Sequence, residues 1–382
     1  MAVIYVDPLN GTDNGDAGRG EDEGPDAYAS ISYALANYGS FSTTTANTIK
    51  VADTAADVLT APLDADTSVS SLAAPLGIVG YHYDGSNGGT AGALTVSLPW
   101  GATVSGAEID GDDAVTYIFD GATNYVHLAN LKVHSTTSYV LYLNTACTVM
   151  NCEVFNGSSG LIRLAANGFV RSCKVYNDVS TGGIGVYTAS SVCFCEISGV
   201  DTGIYLNGTN KNLSHNLIYN VADEGIRLAI DYASIFGNTI DGGGGNSTAC
   251  GIRNSNDSAN FEMARISDNL ITNFDGATSK GIYLVSGTTP SINGNNAFYN
   301  NTTDSDTPPG AIGYPDISEG SDPYTDSASE DFSLTSGASS LGAAMFHLAD
   351  PANPDNIGAW QDYSSGAGGG GGSGGRARAF SY

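Results

Sequence analysis

Gly203–Asn220 reads GIYLNGTNKNLSHNLIYN, and the stretches on both sides repeat its pattern at a nearly fixed interval. With Leu213 and Ile218, five residues later, as marks, the same apolar pair recurs as Leu128/Val133, Val149/Val154, Val170/Val175, Val192/Ile197, Ile235/Ile240, Ile266/Ile271 and Ile292/Ala297. The steps between first members are 21, 21, 22, 21, 22, 31 and 26. A short interval with a constant internal offset belongs to stacked β-rungs, because helical repeats run at about 33 residues or more. The extra length of the two long steps then sits in loops, within Asp241–Met263 and Thr272–Thr289.

Strand side chains alternate, so the residue three after the first mark points inward and the next one outward. The inward column is Leu131, Cys152, Cys173, Cys195, Asn216, Asn238, Asn269, Asn295, and the outward one begins Lys132, Glu153, Lys174, Glu196. Stacked buried amides hydrogen-bond along a solenoid axis. Alternating Lys and Glu pair across neighbouring strands for about 0.5 kcal/mol each and fix register. The pattern predicts that the four asparagines, and Cys152, Cys173 and Cys195, are buried and stacked.

A second strand per rung shows as GIxL, with isoleucines 162, 184, 204, 226, 252 and 282. Over residues 95–300 this repeat resembles the right-handed parallel β-helix of the pectin-lyase-like superfamily. The resemblance implies an all-β fold, a right-handed parallel β-helix solenoid. Such a rod has an open apolar end, and Tyr28–Tyr38 offers a short N-terminal capping helix: Ile31, Ala34, Leu35 and Tyr38 form one stripe, with Ser30 as cap. The order YVDP, a Gly/Asp loop, then a small-residue helix is similar to the N-terminal cap of many β-helix proteins, bacterial and viral.

The chain accordingly divides into a cap with irregular early strands (1–101), regular rungs (102–300), a C-terminal cap region (301–361) and a Gly-rich tail (362–382). Val104/Ile109 has the offset of five and would open the regular part. DFSLTSGASSLGAA and the NIGAWQ of Asn356–Gln361 resemble the terminal rung and closing phrase of many β-helix repeat proteins. The tail ends in Arg376, Arg378, Phe380 and Tyr382, which reads either as a docking peptide or as a loose end.

Lys+Arg number 13 against 40 Asp+Glu, a formal charge of −27, which disfavours nucleic acid and anionic membranes as partners. The opening MAVIYVDP has no basic n-region, apolar h-region or cleavage site. The expectation is a protein made in a cytoplasm and released by lysis, the alternative being a secreted protein whose signal has been removed. Of the six cysteines, three share the inward column and read as small buried side chains. Rungs lie about 4.8 Å apart, inside disulfide range, so a bridge stays open. No spacing resembles a zinc site, but the acidic loop after Val6 offers carboxylates for Ca²⁺ without EF-hand spacing.

Four places could carry chemistry. The residues that follow the GIxL isoleucines form an outward stripe: Arg163, Gly185, Tyr205, Arg227, Arg253, Tyr283. It holds three of the eight arginines, interleaved with aromatics, and suits a saccharide, an acidic polymer or a protein partner. Asp110 with Gly111-Asp112-Asp113, and Asn301–Asp304, offer the paired carboxylates of glycoside hydrolysis. β-Helix polygalacturonases add Gly-His-Gly and Arg-x-Lys motifs, which this chain lacks, and both stretches read as turns. Lyase chemistry of the pectate-lyase kind implies Ca²⁺ on a carboxylate face beside an Arg or Lys base; no carboxylate column accompanies the arginines in the sequence. His82, His127, His134, His215 and His347 give no triad.

These features lead to the expectation of a non-enzymatic structural or adhesive β-helix: a phage virion fibre, spike or capsid-surface component that partners other virion proteins, copies of itself or a cell-surface glycan. The alternative is a polysaccharide lyase or glycoside hydrolase of the same superfamily.

Overall fold

The structure is a computed structural model. It describes residues 2–340 apart from 15–19, 39–40, 66–69, 87–89, 121–122, 179–181, 189–190, 230–231, 244–246, 255–261, 285–288 and 307–312.

Three ladders of parallel strands wind around one apolar core as a right-handed parallel β-helix. The first ladder is a twelve-stranded sheet. It starts with Val3–Val6, Asn47–Ala52 and Leu76–Tyr81, takes Val126–Ala129 next, and ends at Gly313–Tyr314. Twelve strands at about 4.8 Å make a stack roughly 50 Å long. The second ladder runs from Ala56–Val58 through Leu131–Thr136 to Ile317–Ser318. The third runs from Tyr139–Thr145 to Thr303–Asp306. Glu196–Leu206 and Leu217–Leu228 pass unbroken through both and weld them together.

A rung must turn sharply, and the residue that turns it is visible. At the corner between the first and second ladders Asn130, Asn151, Ser172, Phe194, His215, Gly237, Asp268 and Asn295 all have φ in the left-handed region. Asn and Asp tolerate it through local hydrogen bonds; for other L-residues it costs about 1–2 kcal/mol. Phe194 and His215 offset that cost in part by stacking at 5.0 Å.

The glycines of GIxL answer a packing demand. A Cβ on Gly185 would lie 2.6 Å from the Ile197 methyl of the neighbouring ladder, and Gly203, Gly225 and Gly251 meet Ile218, Ile240 and Ile271 in the same way. The second and third ladders therefore approach too closely for any side chain there.

Inside, Cys152, Cys173 and Cys195 stack as free, buried thiols, and burial pushes the Cys152 and Cys195 thiols up. Asn216, Asn238 and Asn269 continue the column, fully buried. Its next member is Asn296, not Asn295. Ile266 pairs with Asn293, so the last pair of marks is Asn293/Phe298 and the assignment Ile292/Ala297 is one residue early. Asn295 takes the corner position and donates to Asp268 Oδ1 at 2.6 Å.

Val104 likewise is no rung mark. The strand that pairs with Leu128 carries Ile78, and Thr103–Ser105 forms an antiparallel hairpin with Thr95–Ser97 that leaves the helix. After Asn301 the winding persists for another turn, through Thr303–Asp306, Gly313–Tyr314 and Ile317–Ser318. The DFSL of Asp331–Leu334 is not a terminal rung: it pairs antiparallel with Tyr324–Asp326. This second hairpin lays Tyr324 and Phe332 on Leu217, Tyr219, Leu270 and Ala297.

At the other end the helix Ile31–Asn37 caps the rod, with Ser30 Oγ accepting from the Tyr33 N–H. Ile31 and Ala34 are buried against the first strands. The NIGAWQ phrase and the tail residues Arg376, Arg378, Phe380 and Tyr382 lie outside the described residues.

Candidate functional site

The third ladder turns one continuous column outward. Cross-strand register aligns Tyr142, Arg163, Tyr187, Tyr205, Arg227, Arg253 and Tyr283, one per rung, and then Asp306. Arg163, Tyr205, Arg227, Arg253 and Tyr283 all stand in it. Gly185 does not: Ile162 aligns with Val186, so the outward residue of that rung is Tyr187, and Gly185 faces the corner. Ile184 and Val186 share strand parity, and a period of two cannot separate them.

The column is a run of stacked π and guanidinium groups, half-buried along its length. Arg163 lies 4.4 Å from the Tyr142 ring, 5.2 Å from Tyr187 and 5.7 Å from Tyr139. Tyr187 meets Tyr205 edge to face at 4.9 Å, and Arg227 sits 5.0 Å over Tyr205. Burial pushes the Tyr139 hydroxyl up, so it is neutral and a donor. Such cation–π contacts are worth about 0.5–2 kcal/mol each and hold a flexible side chain in one place.

The cations differ in how they are compensated. Arg253 Nη1 donates to Glu224 Oε1 at 3.2 Å, and Thr202 donates to the other oxygen at 3.0 Å. Lys280 pairs with Asp306 at 2.6 Å and lies 3.9 Å from the Tyr283 ring. Among the described residues no carboxylate pairs with Arg163 or Arg227. The Nε atoms of Arg227 and Arg253 are buried without a hydrogen-bond partner.

The two paired-carboxylate candidates are a turn and a corner, and residues 15–19 of the acidic loop lie outside the described residues. Asp112 and Asp113 both adopt positive φ, and Asp110 Oδ1 accepts the Asp112 N–H at 2.8 Å, as a turn requires. Asn301 ties a corner: it accepts from the Phe274 N–H at 3.1 Å and donates to Ile271 O at 2.9 Å. In the acidic N-terminal loop, Asp7 accepts from the Leu9 and Asn10 N–H groups, and Asp13 from Ala29 and Ser30 ahead of the helix. Among the described residues no group of three or more His, Cys, Asp or Glu is arranged to hold a metal ion.

One cluster was invisible in the sequence. On the second ladder His134 Nε2 meets Glu108 Oε1 at 3.0 Å and Nδ1 meets Asp110 Oδ1 at 3.4 Å. The histidine bond holds the Glu108 carboxyl below its usual range, helped by Lys132. The imidazole stacks on Phe155 at 4.5 Å, and Phe155 on Tyr176 at 5.0 Å. His134 is buried there, beside the first hairpin, whose Ser97 N–H bonds Glu153 Oε2 at 2.9 Å. The cluster therefore locks the ladder rather than facing a substrate. Its only signal was the 26-residue separation of Glu108 and His134, which spans an irregular excursion.

No protein-family model matches the chain, and no curated protein matches it. Among solved structures it is similar to the crystal structure of pectate lyase Pel9A, with a TM-score of 0.48 and 11% identity over 94% of this chain and 96% of that one.

Proposed function

We propose that this protein is a non-enzymatic adhesive β-helix, carried as a fibre, spike or capsid-surface component of a phage virion, and that it binds through the column from Tyr142 to Tyr283. The observation that carries this reading is that seven consecutive rungs each turn a tyrosine or an arginine outward along one line. A strand-spaced row of rings and forked donors on a rigid rod suits an extended ligand. Two carboxylates at the column, Glu224 and Asp306, are already engaged by Arg253 and Lys280, which supports binding over acid–base work. The C-terminal Arg376, Arg378, Phe380 and Tyr382 supply two charges and two rings as an anchor for other virion proteins or copies of this chain, on a Gly linker that is costly to order at about 1–2 kcal/mol per residue.

The test is adhesion of purified protein to candidate host cells and to a glycan panel, with the Tyr187→Ala/Tyr205→Ala double variant alongside. Saturable binding lost in the variant supports the reading. Appearance of unsaturated sugar ends or new reducing ends with turnover would replace it by a polysaccharide lyase or hydrolase.

A further inference from the structure

Resting on that reading, we infer the ligand class: an extended saccharide that bears an acid group on about every third sugar. Among the described residues, Arg163 and Arg227 are the two cations of the column without a carboxylate, in a chain whose formal charge is −27. Both are held by tyrosine faces instead, so each keeps its terminal Nη donors for an external anion. The charge of Arg253, by contrast, is already paired with Glu224.

Three rung spacings separate the two forks, through Tyr187 and Tyr205. That is about 14 Å. An extended pyranose chain advances by close to one rung per sugar, so acids seated on both arginines lie three sugars apart.

The two intervening rungs select what lies between. Aromatic faces carry negative quadrupole potential and favour C–H groups over anions. The surrounding net negative charge opposes additional carboxylates as well. A polymer with an acid on every sugar therefore places charge where the column disfavours it, whereas a sparsely charged one places neutral rings on the tyrosines.

The experiment uses four synthetic α-(1→4) galactose hexasaccharides, whose threefold winding turns every third sugar to the same side, with the full chain, read by calorimetry: neutral, fully oxidised to uronate, uronate at sugars three and four, and uronate at sugars two and five. The two-and-five isomer should bind tightest, about tenfold or more over the adjacent isomer, at the scale of one charge-assisted bond. Arg163→Gln and Arg227→Gln should each lower its affinity about tenfold and erase the preference. Arg171→Gln on the first ladder, with unchanged unfolding, is the control. Equal binding of the neutral or fully acidic hexamer, or no hexamer binding at all, overturns the inference. If cell adhesion still depends on Tyr187 and Tyr205 in that case, the adhesive reading survives it. If adhesion ignores them, both fail.

Discussion

Asn238 Nδ2 donates to Asn269 Oδ1 at 2.9 Å, and the same oxygen accepts the Asn238 backbone N–H at 3.1 Å. One amide oxygen thus satisfies both the side chain and the main chain of the rung before it. The unit repeats from Cys195 N–H on Asn216 to Asn269 on Asn296, and Asp316 Oδ1 closes the series by accepting the Asn296 N–H at 2.8 Å. Asn216, Asn238 and Asn269 also donate back to the first ladder, Asn238 to Leu213 O at 2.9 Å.

Replacing Asn238 with Leu keeps the number of side-chain heavy atoms but strands Asn216 and Leu213 O on one side and Asn269 Oδ1 on the other. Buried groups left unpaired cost about 1–3 kcal/mol each, so a loss of roughly 3 kcal/mol or more is expected from urea unfolding. Cys173→Ala, in the same column, loses only a small side chain and a weak S–H bond, and should cost about 1–2 kcal/mol. Equal costs for the two would contradict the hydrogen-bonded account of the column.

The glycine corner gives a second prediction. A methyl at Gly225 collides with the Ile240 Cγ2 methyl and lies 2.7 Å from Gly251 O, whereas one at Gly320 meets nothing within 4 Å. Gly225→Ala should destabilise by about 1–3 kcal/mol through overpacking. Gly320→Ala should be neutral to within roughly 0.5 kcal/mol. A tolerated Gly225→Ala would show that the corner relaxes.

The winding was legible because a constant offset of five across one corner survives any change of loop length, and the corner residue repeats with it. The slips occurred where short strands offer a decoy. Ile292 precedes the true mark Asn293, a polar residue at an inward position, and Ile184 matches Val186 in parity. The arginine column was legible as a stripe, but its compensation was not. Glu224 reaches Arg253 across 29 residues, and Asp306 reaches Lys280 across 26. The outward column Lys132, Glu153, Lys174, Glu196 also turns into Leu217, Thr239, Leu270, Ala297. Nothing local marks that change, because the reason is the distant hairpin lying on it.

Asp57 links the cap to pH. It is buried, and desolvation raises its carboxyl to about 6 even though Oδ2 accepts the Ile31 N–H at 2.8 Å, with Asp13 adding to the rise. A raised carboxyl holds its proton more tightly in the fold than in the unfolded chain. Its contribution is therefore greatest below about pH 4 and declines as pH rises to about 6, by around 2 kcal/mol. Asp57→Asn keeps the acceptor for Ile31 and removes the titration. Wild-type minus variant stability should fall across that window and stay flat above it; a constant difference would mean that Asp57 titrates normally.

The second hairpin supplies the last prediction. Phe332 is 2% exposed and packs 4.9 Å from Tyr219 and 5.1 Å from Tyr324, while Tyr219 Oη bonds both Glu196 and Glu330. Truncating such a buried ring costs about 3–5 kcal/mol where the structure must stay assembled. Here it need not, because the hairpin is a two-stranded unit laid on a ladder that is hydrogen-bonded without it. Local release caps the cost at the docking free energy of the hairpin alone. Phe332→Ala should therefore strip hydrogen-exchange protection from Tyr324–Leu334 and expose Leu217 and Leu270 to a hydrophobic dye. Protection in Leu131–Thr136, under the other hairpin, should be unchanged, and the thermal midpoint should move little. A uniform loss of protection along the rod would instead make the hairpin a cooperative part of the helix.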